Sequence, residues 1–310
     1  MNELHHFSVV IPLYNKKLEI KRAISSVLNQ SYPHFEIIII DDGSTDNSLQ
    51  QAQSIVDPRI RIISQDNAGV STARNRGVAE AQYDWVAFLD ADDEWESDFL
   101  FNIDLLMNRL PNCGVYASSY RIINFEGRKE SPISQYAPGS TIIISDIFSD
   151  FRSYYPFNSS SVIVDKSKLI QLGGFPLNVH EGEDVITWIK LFLISQIAII
   201  NLPLSVYHQE ATNRACYELK DRLEVYPPVN FLINANKQGG IPEKFNTSVI
   251  EYIAKHQIVA AKRNIRQRNS YRAIELLWSC RKTNEQKITW LRTFFIAIIS
   301  IFIPHFSKQA

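Results

Sequence analysis

Cysteine is scarce in this 310-residue chain, which contains three. They are Cys113, Cys216 and Cys280. Because they are odd in number and widely separated, they exclude a disulfide framework and the spacing of a structural zinc site. The composition therefore indicates a protein of a reducing compartment.

Long apolar runs are also lacking. A membrane-spanning helix needs about 18 to 20 consecutive apolar residues. The nearest approach, residues 293–303, is bounded by Arg292 and Pro304. The first six residues are largely polar and lead directly into a strand pattern, so we expect no signal peptide. These absences predict a cytoplasmic protein, either free or resting on the inner face of the cell membrane.

The formal net charge is only −1, but it is unevenly distributed. Residues 251–310 contain eleven lysines and arginines against three glutamates and no aspartate, so the first 250 residues are correspondingly acidic. A basic tail indicates contact with an anionic surface, either membrane lipid or nucleic acid. No nucleic-acid recognition motif accompanies it, so we expect no nucleic-acid partner.

Strand and helix patterns alternate over the first 110 residues, as in βαβ units. Strands are predicted at 7–11, 35–40, 60–63, 85–89, 115–118, 160–164, 197–200 and 203–207. Helices are predicted at 16–30, 47–55, 69–81, 98–110 and 183–193, with Asp46 and Ser97 capping the second and fourth. We therefore predict an α/β domain over residues 1–225, with a mostly parallel central sheet flanked by helices. A helical extension follows over residues 226–310.

Two of the apolar strands end in paired acidic residues, Asp41-Asp42-Gly43-Ser44 and Asp90-Ala91-Asp92-Asp93. Ligands bind outside the carboxyl ends of parallel strands, so both clusters should lie at one edge of the sheet. Carboxylates suit a Mg²⁺ or Mn²⁺ ion that also holds substrate phosphates. The pattern therefore predicts a metal site at Asp-x-Asp, although a solvated loop or helix cap would have the same residues.

Four further features each have a functional and a structural interpretation. Asp42 can accept hydrogen bonds from a base or a ribose, or belong to a plain turn. Arg74 can hold a diphosphate or orient a carboxylate, or lie on the surface. The segment His180-Glu181-Gly182-Glu183-Asp184 can supply a general base, or form an acidic helix start. His208 follows another strand and can bind a metal or be structural.

Together these pieces resemble the family 2 inverting glycosyltransferases of GT-A fold, over roughly residues 6–215. The resemblance depends on the order of several motifs. They are Val9-Val10-Ile11-Pro12-Leu13-Tyr14-Asn15, Ser25-Ser26-Val27-Leu28-Asn29-Gln30-Ser31-Tyr32, Ile40-Asp41-Asp42-Gly43-Ser44-Thr45-Asp46, residues 69–77, Phe88-Leu89-Asp90-Ala91-Asp92-Asp93, Gly173-Gly174-Phe175 and Gly182-Glu183-Asp184. It implies a Rossmann-like nucleotide-binding half over about 1–110 and an acceptor half over about 111–225.

The resemblance also implies roles for the residues that match the family's motifs. Pro12 and Tyr14 would line the base pocket, Asp42 would accept from the uracil ring, and Arg74 would lie near the diphosphate.

The remaining implied roles belong to the reacting centre. Asp90 and Ala91 would contact the ribose or the donor sugar, and Asp92 would ligate the metal. Asp184 would be the catalytic base. His208 matches a position that also touches the metal in some members.

The implied activity is Mn²⁺- or Mg²⁺-dependent transfer of a hexosyl or N-acetylhexosaminyl group from a UDP-sugar, with inversion. The acceptor would be a saccharide or a lipid-linked saccharide, in bacterial O-antigen, capsule or other surface-polysaccharide synthesis. A non-catalytic nucleotide-sugar- or glycan-binding protein of the same fold is the alternative, and it predicts loss of Asp-x-Asp or of the base. A nucleotidyltransferase would need a glycine-rich basic loop that residues 12–15 do not offer.

The tail from residue 226 lies outside the resemblance. It places basic helices next to the apolar residues 293–303. Such a combination is typical of an interfacial membrane helix, so peripheral membrane contact through residues 288–310 is one expectation. The other is a helical cap that packs on the catalytic domain or forms a homodimer through the C-terminal helices.

Overall fold

The computed structural model describes residues 3–130, 136–153, 155–211 and 223–303. Its backbone forms two units, each treated separately below. The first comprises Met1–Ser145 and Tyr154–Arg214, and the second comprises Asp146–Ser153 and Ala215–Ala310. The division predicted between residues 225 and 226, and that between the halves 1–110 and 111–225, stay predictions.

The strands all belong to the first unit. In chain order they are β1 Phe7–Leu13, β2 Phe35–Asp42, β3 Ile60–Gln65, β4 Trp85–Phe88, β5 Glu94–Trp95, β6 Val115–Ile123, β7 Lys129–Glu130, β8 Thr141–Ile143, β9 Val162–Asp165 and β10 Ile197–His208. The helices are α1 Ile20–Leu28, α2 Ser48–Gln53, α3 Val70–Glu80, α4 Phe99–Arg109, α5 Ile147–Ser153, α6 Lys166–Gln171, α7 Glu183–Ile194, α8 Pro227–Lys237, α9 Asn246–Arg266, α10 Ser270–Ser279 and α11 Lys287–Phe302.

The strands form one mixed sheet in the order β3-β2-β1-β4-β9-β6-β10-β5, with β7 beside β6 and β8 beside β10. β3, β2, β1 and β4 run parallel, as do β6 and β10. β9 runs antiparallel to both β4 and β6, and β5, β7 and β8 are antiparallel edge or side strands. The predicted α/β class with a central sheet flanked by helices is confirmed, and its nucleotide-binding half, as predicted here, is the parallel part of a mixed sheet.

The inner parallel strands form because they are apolar on both faces, whereas the edge strand β3 is only partly buried. All eight residues of β2 are buried, as expected for a strand covered by helices on each side. α3 packs very closely on β1, since a Cβ atom built on Gly77 would lie 2.2 Å from Cγ1 of Val10. Only glycine permits this approach, which sets the position of α3 above the sheet.

Some local predictions were wrong. Residues 197–208 form one strand, not two, because register shifts against β6 on either side of Pro203 accommodate the proline. The predicted cap of α4 by Ser97 is absent. The helix begins at Phe99 after Asp98, and the side chain of Gln30 accepts a hydrogen bond from the Leu100 N–H instead. A helix start can thus be satisfied from elsewhere in the fold.

The second unit is helical. α9, α10 and α11 share an apolar core that includes Ile258, Leu277 and Trp290. Trp290 Nε1 donates to the Leu277 carbonyl at 2.7 Å, which holds α11 against α10. No helix among the described residues has the length and apolar content needed to cross a bilayer.

Candidate active site

The two acidic clusters follow β2 and β4, which flank β1 in the parallel part of the sheet. Asp41 and Asp42 close β2, and Asp90 to Asp93 begin two residues after the end of β4. Since these strands run parallel, both clusters lie at the same edge of the sheet. The sequence pattern predicted this shared edge.

Asp42 organises the entry to α3. It is 3% exposed, and its carboxylate accepts from the Gln65 amide at 2.7 Å, the Ala68 N–H at 3.0 Å and the Gly69 N–H at 2.8 Å. Its structural role is therefore the anchoring of the loop before α3. The predicted contact with a uracil ring stays a prediction.

The loop after β2 is held by the residue that ends the first motif. Asn15 has the left-handed backbone angle φ 53°, and its side-chain oxygen accepts from the Thr45 N–H at 2.8 Å. Its own N–H donates to the Ser44 hydroxyl at 3.1 Å. Next to it along the chain, Tyr14 is 42% exposed and Pro12 is half-buried, so both present surface at this edge to a ligand.

Arg74 is the centre of a buried ion-pair network. One terminal nitrogen lies 2.8 Å from Asp90 Oδ1 and the other 2.8 Å from Glu183 Oε1. Burial lowers the pKa of Arg74, but the charges of Asp90, Glu183 and Asp184 outweigh it and hold that pKa above its ordinary value. Arg74 therefore joins the Asp-x-Asp loop to the first turn of α7, the second of the two functional roles considered for it. A diphosphate contact stays a prediction.

The position of Arg74 is supported by the Gly173-Gly174-Phe175 turn. The Asn75 side chain exchanges two hydrogen bonds with the Phe175 backbone, at 2.9 and 2.8 Å. The Arg74 guanidinium lies over the Phe175 ring, 5.3 Å from its centroid. Gly174 has φ 76°, and a Cβ there would lie 2.4 Å from the Asn75 oxygen, so glycine is required where the turn meets α3.

Asp92 is paired with a residue that the motif search did not single out. Its Oδ2 lies 2.7 Å from the Lys16 ammonium, and the backbone carbonyl of Asp92 accepts from Arg22. Lys16, just before α1, thus neutralises the last carboxylate of the Asp-x-Asp motif, and Arg22 of α1 holds the backbone of the same residue. A lysine beside this carboxylate relieves the repulsion between neighbouring acids.

A short 3-10 turn, Ser159–Ser161, is hydrogen-bonded to the acidic loop Asp90–Asp93. The Ser160 hydroxyl accepts from the Asp90 N–H at 3.1 Å and donates to Asp93. Asp93 is 1% exposed, and burial together with the charges of Asp92 and Asp90 raises its pKa well above its usual range. Its second oxygen accepts from the His208 N–H at 3.1 Å, so this buried carboxyl group links the loop to β10.

The same turn also contacts Asp184, the predicted base. The Ser159 hydroxyl donates to Asp184 Oδ2 at 2.9 Å, and the Val185 N–H donates to Oδ1 at 2.7 Å. Asp184 stands in the first turn of α7, which begins after Gly182 in the left-handed region at φ 74°. The carboxylate is therefore held from both oxygens, next to Glu183, whose pKa is raised by burial and by the charge of Asp184.

His208 sits between two glutamates. Its Nε2 lies 3.0 Å from Glu94 and its Nδ1 lies 2.6 Å from Glu210. Burial lowers the pKa of His208, but the hydrogen bonds to Glu94 and Glu210 outweigh it and raise that pKa. A carboxylate at each ring nitrogen favours the protonated imidazole. The predicted ligation of a metal by His208 stays a prediction.

The donor set at Asp-x-Asp fits a divalent metal shared with a substrate. No group of three histidine, cysteine or acidic side chains in the described parts of the chain converges as a metal cage. Asp90 and Asp92 each use one oxygen in their ion pairs, which leaves Asp90 Oδ2 and Asp92 Oδ1 for a ligand. Mg²⁺ and Mn²⁺ commonly take one or two carboxylates, with phosphate and water oxygens completing the shell.

Four residues of the site were not predicted from the sequence: Lys16, Glu183, Ser159 and Ser160. Glu183 was part of a quoted motif, but the base was assigned to its neighbour. The run Asn158-Ser159-Ser160-Ser161 carried a local signal, since such residues form capped turns, and Asn158 forms a capping box with Ser161. Nothing local connected that turn to Asp184.

The chain is similar to known proteins in sequence and in fold. The family model described as Glycosyl transferase family 2 matches residues 8–169. A putative teichuronic acid biosynthesis glycosyltransferase, TuaG of Bacillus subtilis, is 34% identical over 189 residues, which cover 59% of this chain and 71% of TuaG. WfgD of Escherichia coli, named as a UDP-Glc:alpha-D-GlcNAc-diphosphoundecaprenol beta-1,3-glucosyltransferase, is 29% identical over 195 residues, 63% of this chain and 72% of WfgD. Several further relatives are matched over only 28–32% of their length.

Solved structures share the fold. Residues 1–349 of S. aureus TarS, in complex with UDP-GlcNAc, superpose with a TM-score of 0.68 at 17% identity, covering 96% of this chain and 91% of that one. The mannosyltransferase PcManGT from Pyrobaculum calidifontis, in complex with GDP-Man and Mn²⁺, gives 0.59 at 19% identity, covering 97% and 81%. These neighbours support the predicted GT-A fold, and the family match spans more than half of the sequence. The chain belongs to glycosyl transferase family 2, with relatives in bacterial surface-polysaccharide synthesis.

Proposed function

We propose that the protein transfers a sugar from a UDP-sugar to a saccharide or lipid-linked saccharide, with inversion, in bacterial surface-polysaccharide synthesis. The observation that carries the proposal is the Arg74 network, which connects the Asp-x-Asp loop to the Glu183-Asp184 pair. Donor-side and acceptor-side carboxylates thus belong to one buried assembly. The printed names of WfgD and TuaG, and the UDP-GlcNAc bound to TarS, support the donor and acceptor classes.

The proposed chemistry is a single displacement. Asp184 takes the proton of an acceptor hydroxyl, and that oxygen forms a bond to C1 of the donor sugar from the face opposite the leaving group. The C1–O bond to the diphosphate breaks, and its electron pair leaves on the diphosphate. Because Asp184 is held by Ser159 and the Val185 N–H, its carboxylate is oriented before the acceptor arrives.

Neutralisation of the leaving group is the second requirement. Asp92 would hold Mn²⁺ or Mg²⁺, which supplies electrostatic stabilisation of the negative charge that develops on the diphosphate, and Asp90 would contact the ribose or the donor sugar. Arg74 orients Asp90 for this task, and Lys16 places a positive charge beside Asp92. Tyr14 and Pro12 offer surface for the base. Ala91, the middle residue of Asp-x-Asp, is 3% exposed and packs in the protein interior.

The proposal is tested by nucleotide binding followed by product analysis. UDP, GDP, dTDP and several UDP-sugars are screened by thermal shift and calorimetry, each with Mn²⁺ and with EDTA. We expect UDP to stabilise the protein in a metal-dependent way, and the screen of glucose, galactose and N-acetylhexosamine donors to separate hexosyl from N-acetylhexosaminyl transfer. Absence of nucleotide binding under all conditions would favour the non-catalytic alternative. The anomeric configuration of the product, read by NMR, decides between inversion and retention.

Asp92→Asn is expected to abolish most of the metal dependence of UDP binding, because it removes the charge of the proposed metal ligand while keeping its shape. The measurement is calorimetric titration of UDP with Mn²⁺ and with EDTA. Asp98→Asn is a matched control, since Asp98 is exposed and bonds to Asn102 on the surface. Unchanged metal dependence in Asp92→Asn would place the metal elsewhere.

Ser159→Ala is expected to lower kcat by about tenfold, because a hydrogen bond to a charged group contributes about 1.5 kcal/mol. The UDP dissociation constant should not change, since Ser159 contacts the base and not the Asp-x-Asp loop. Ser161→Ala removes a hydroxyl from the same turn without touching Asp184 and serves as the control. Recovery of kcat in Ser159→Thr would show that the hydroxyl is responsible, and equal losses in Ser159→Ala and Ser161→Ala would assign the effect to the turn.

A further inference from the structure

The C-terminal helix α11 has an inverted distribution of polarity. Its buried residues are Trp290, Thr293, Ala297 and Ser300, three of which are small or polar. Its exposed apolar residues are large: Ile288 is 84% exposed, Leu291 41%, Phe295 60% and Phe302 79%. A helix on the surface of a water-soluble protein normally buries its large apolar residues and exposes its polar ones. We call these four exposed residues the α11 stripe.

The inward face of α11 is fixed by specific contacts. The hydroxyls of Ser300 and Ser270 lie 2.7 Å apart, and the Trp290 indole donates to the Leu277 carbonyl at 2.7 Å. Turning the α11 stripe inward would break both bonds and bring large side chains where alanine and serine now fit. The stripe therefore stays outward while the helix remains on α10.

The α11 stripe is a continuous line. Its residues are spaced at i, i+3, i+7 and i+14, which places them along one side of the helix over about 21 Å. Ile303, which follows the helix, is 51% exposed and extends the apolar surface. Contiguous exposed apolar surface of this kind marks an interaction site on a soluble protein.

Positive charge surrounds the beginning of the α11 stripe. Arg281, Lys282, Lys287 and Arg292 are all exposed, and α11 itself contains no acidic residue. The Arg281 guanidinium lies over the ring of Trp278, which is 57% exposed, 5.0 Å from its centroid. Aromatic and basic side chains beside an apolar stripe match the chemistry of a headgroup region with anionic lipids.

We propose that the α11 stripe is a membrane-contact surface that inserts into the headgroup boundary of a bilayer containing anionic lipid. A helix of 16 residues is too short to span and has the length and composition of an interfacial helix. In a pairing of two α11 helices, parallel or antiparallel, no acid on either helix could compensate Lys287 and Arg292, whereas anionic headgroups supply that charge. Charge complementarity therefore favours the lipid surface. This inference does not depend on the proposed transfer reaction.

Co-sedimentation of the full chain with vesicles tests the proposal. Phosphatidylcholine vesicles are compared with an equal mixture of phosphatidylcholine and phosphatidylglycerol. We expect the protein to bind the anionic vesicles. The double variant Phe295→Ser, Phe302→Ser should lower the partition coefficient by at least about tenfold. The double variant Lys282→Glu, Arg292→Glu should lower it by about tenfold. The double variant Leu18→Ser, Val56→Ser removes two other exposed apolar side chains, 72% and 95% exposed, and should bind as the unmodified protein does.

Folding and self-association are measured on the same samples. Thermal unfolding should be unchanged in all four proteins, because the substituted side chains are exposed. Light scattering after size exclusion reports the oligomeric state. Absence of vesicle binding, or equal loss in the Leu18→Ser, Val56→Ser control, overturns the proposal. A dimer that dissociates on the Phe295→Ser, Phe302→Ser change, without vesicle binding, assigns the α11 stripe to a second copy of the chain.

Discussion

Asp184→Asn is expected to lower turnover by at least about a hundredfold, the low end of the effect of losing a general base. An amide has the shape of the carboxylate but cannot take the proton of the acceptor hydroxyl. The amide oxygen can still accept from the Val185 N–H while the amide NH₂ donates to the Ser159 hydroxyl, so the first turn of α7 should keep its position. UDP binding should be nearly unchanged, because the proposed nucleotide contacts lie at other residues.

The measurement pairs kcat with the UDP dissociation constant in the same metal buffer. Asp98→Asn, the same chemical change at an exposed position, controls for the loss of one negative charge. Thermal unfolding of both variants verifies that they are folded. Near-normal turnover in Asp184→Asn would falsify the assignment of the base. A loss of UDP binding comparable to the loss of kcat would show instead that Asp184 acts through the nucleotide site.

Arg74→Met is expected to destabilise the protein by about 3–5 kcal/mol, because it removes the cation from a buried network and leaves its carboxylates without a counter-charge. Arg74 is 3% exposed, and after the change Asp90 and Glu183 lose their shared cation while Glu183 remains beside Asp184. Methionine fills much of the volume of the arginine stem, so the result reports the charge more than a cavity.

Urea unfolding at neutral pH measures this difference, and Arg76→Met is the matched control on the same helix. Arg76 is 53% exposed and pairs with Glu80 at i,i+4, an interaction of about 0.3–0.5 kcal/mol. The excess loss in Arg74→Met should shrink as the pH falls. Burial and Asp184 already raise the pKa of Glu183, and without Arg74 that pKa rises further, so its folded form takes a proton as the medium becomes acidic. Equal free energies for the two variants would exclude the network as a source of stability.

Local patterns were sufficient for the parallel half of the sheet. The apolar runs that became β1, β2 and β4 are largely buried on both faces, whereas β3 is a partly buried edge strand. Turn residues mark the ends of all four, so apolar runs bounded by turn residues identify each strand without its partners. Local patterns could not predict the direction of β9. Val162–Asp165 has the same apolar character as a parallel strand, and only its pairing with both β4 and β6 makes it antiparallel.

The same distinction between local patterns and contacts of distant segments applies to the candidate site. Asp90, Asp92 and Asp184 were predicted as site residues because each stands directly after a strand or at the start of a helix, where position alone suggests chemistry. The contacts that join them to other residues could not be predicted this way. Arg74 and Glu183 are 109 residues apart, Lys16 and Asp92 are 76 apart, and Ser159 and Asp184 are 25 apart. A buried ion pair requires both residues, and neither carries a local signal for the other.

The sequence by itself determined the α/β class, the family, the strand-end carboxylates and the basic, apolar tail, because these depend on period, composition and motif order. Only the tertiary structure decided that Arg74 orients Asp90 instead of lying on the surface, and that a serine turn holds both the acidic loop and Asp184. It also decided which side of α11 faces outward. From the sequence, the apolar residues of α11 are equally compatible with a core position and with a surface position. The contact between the hydroxyls of Ser270 and Ser300 decides which side of the helix faces inward. Contacts between distant segments made these choices, and no window along the chain contains both partners.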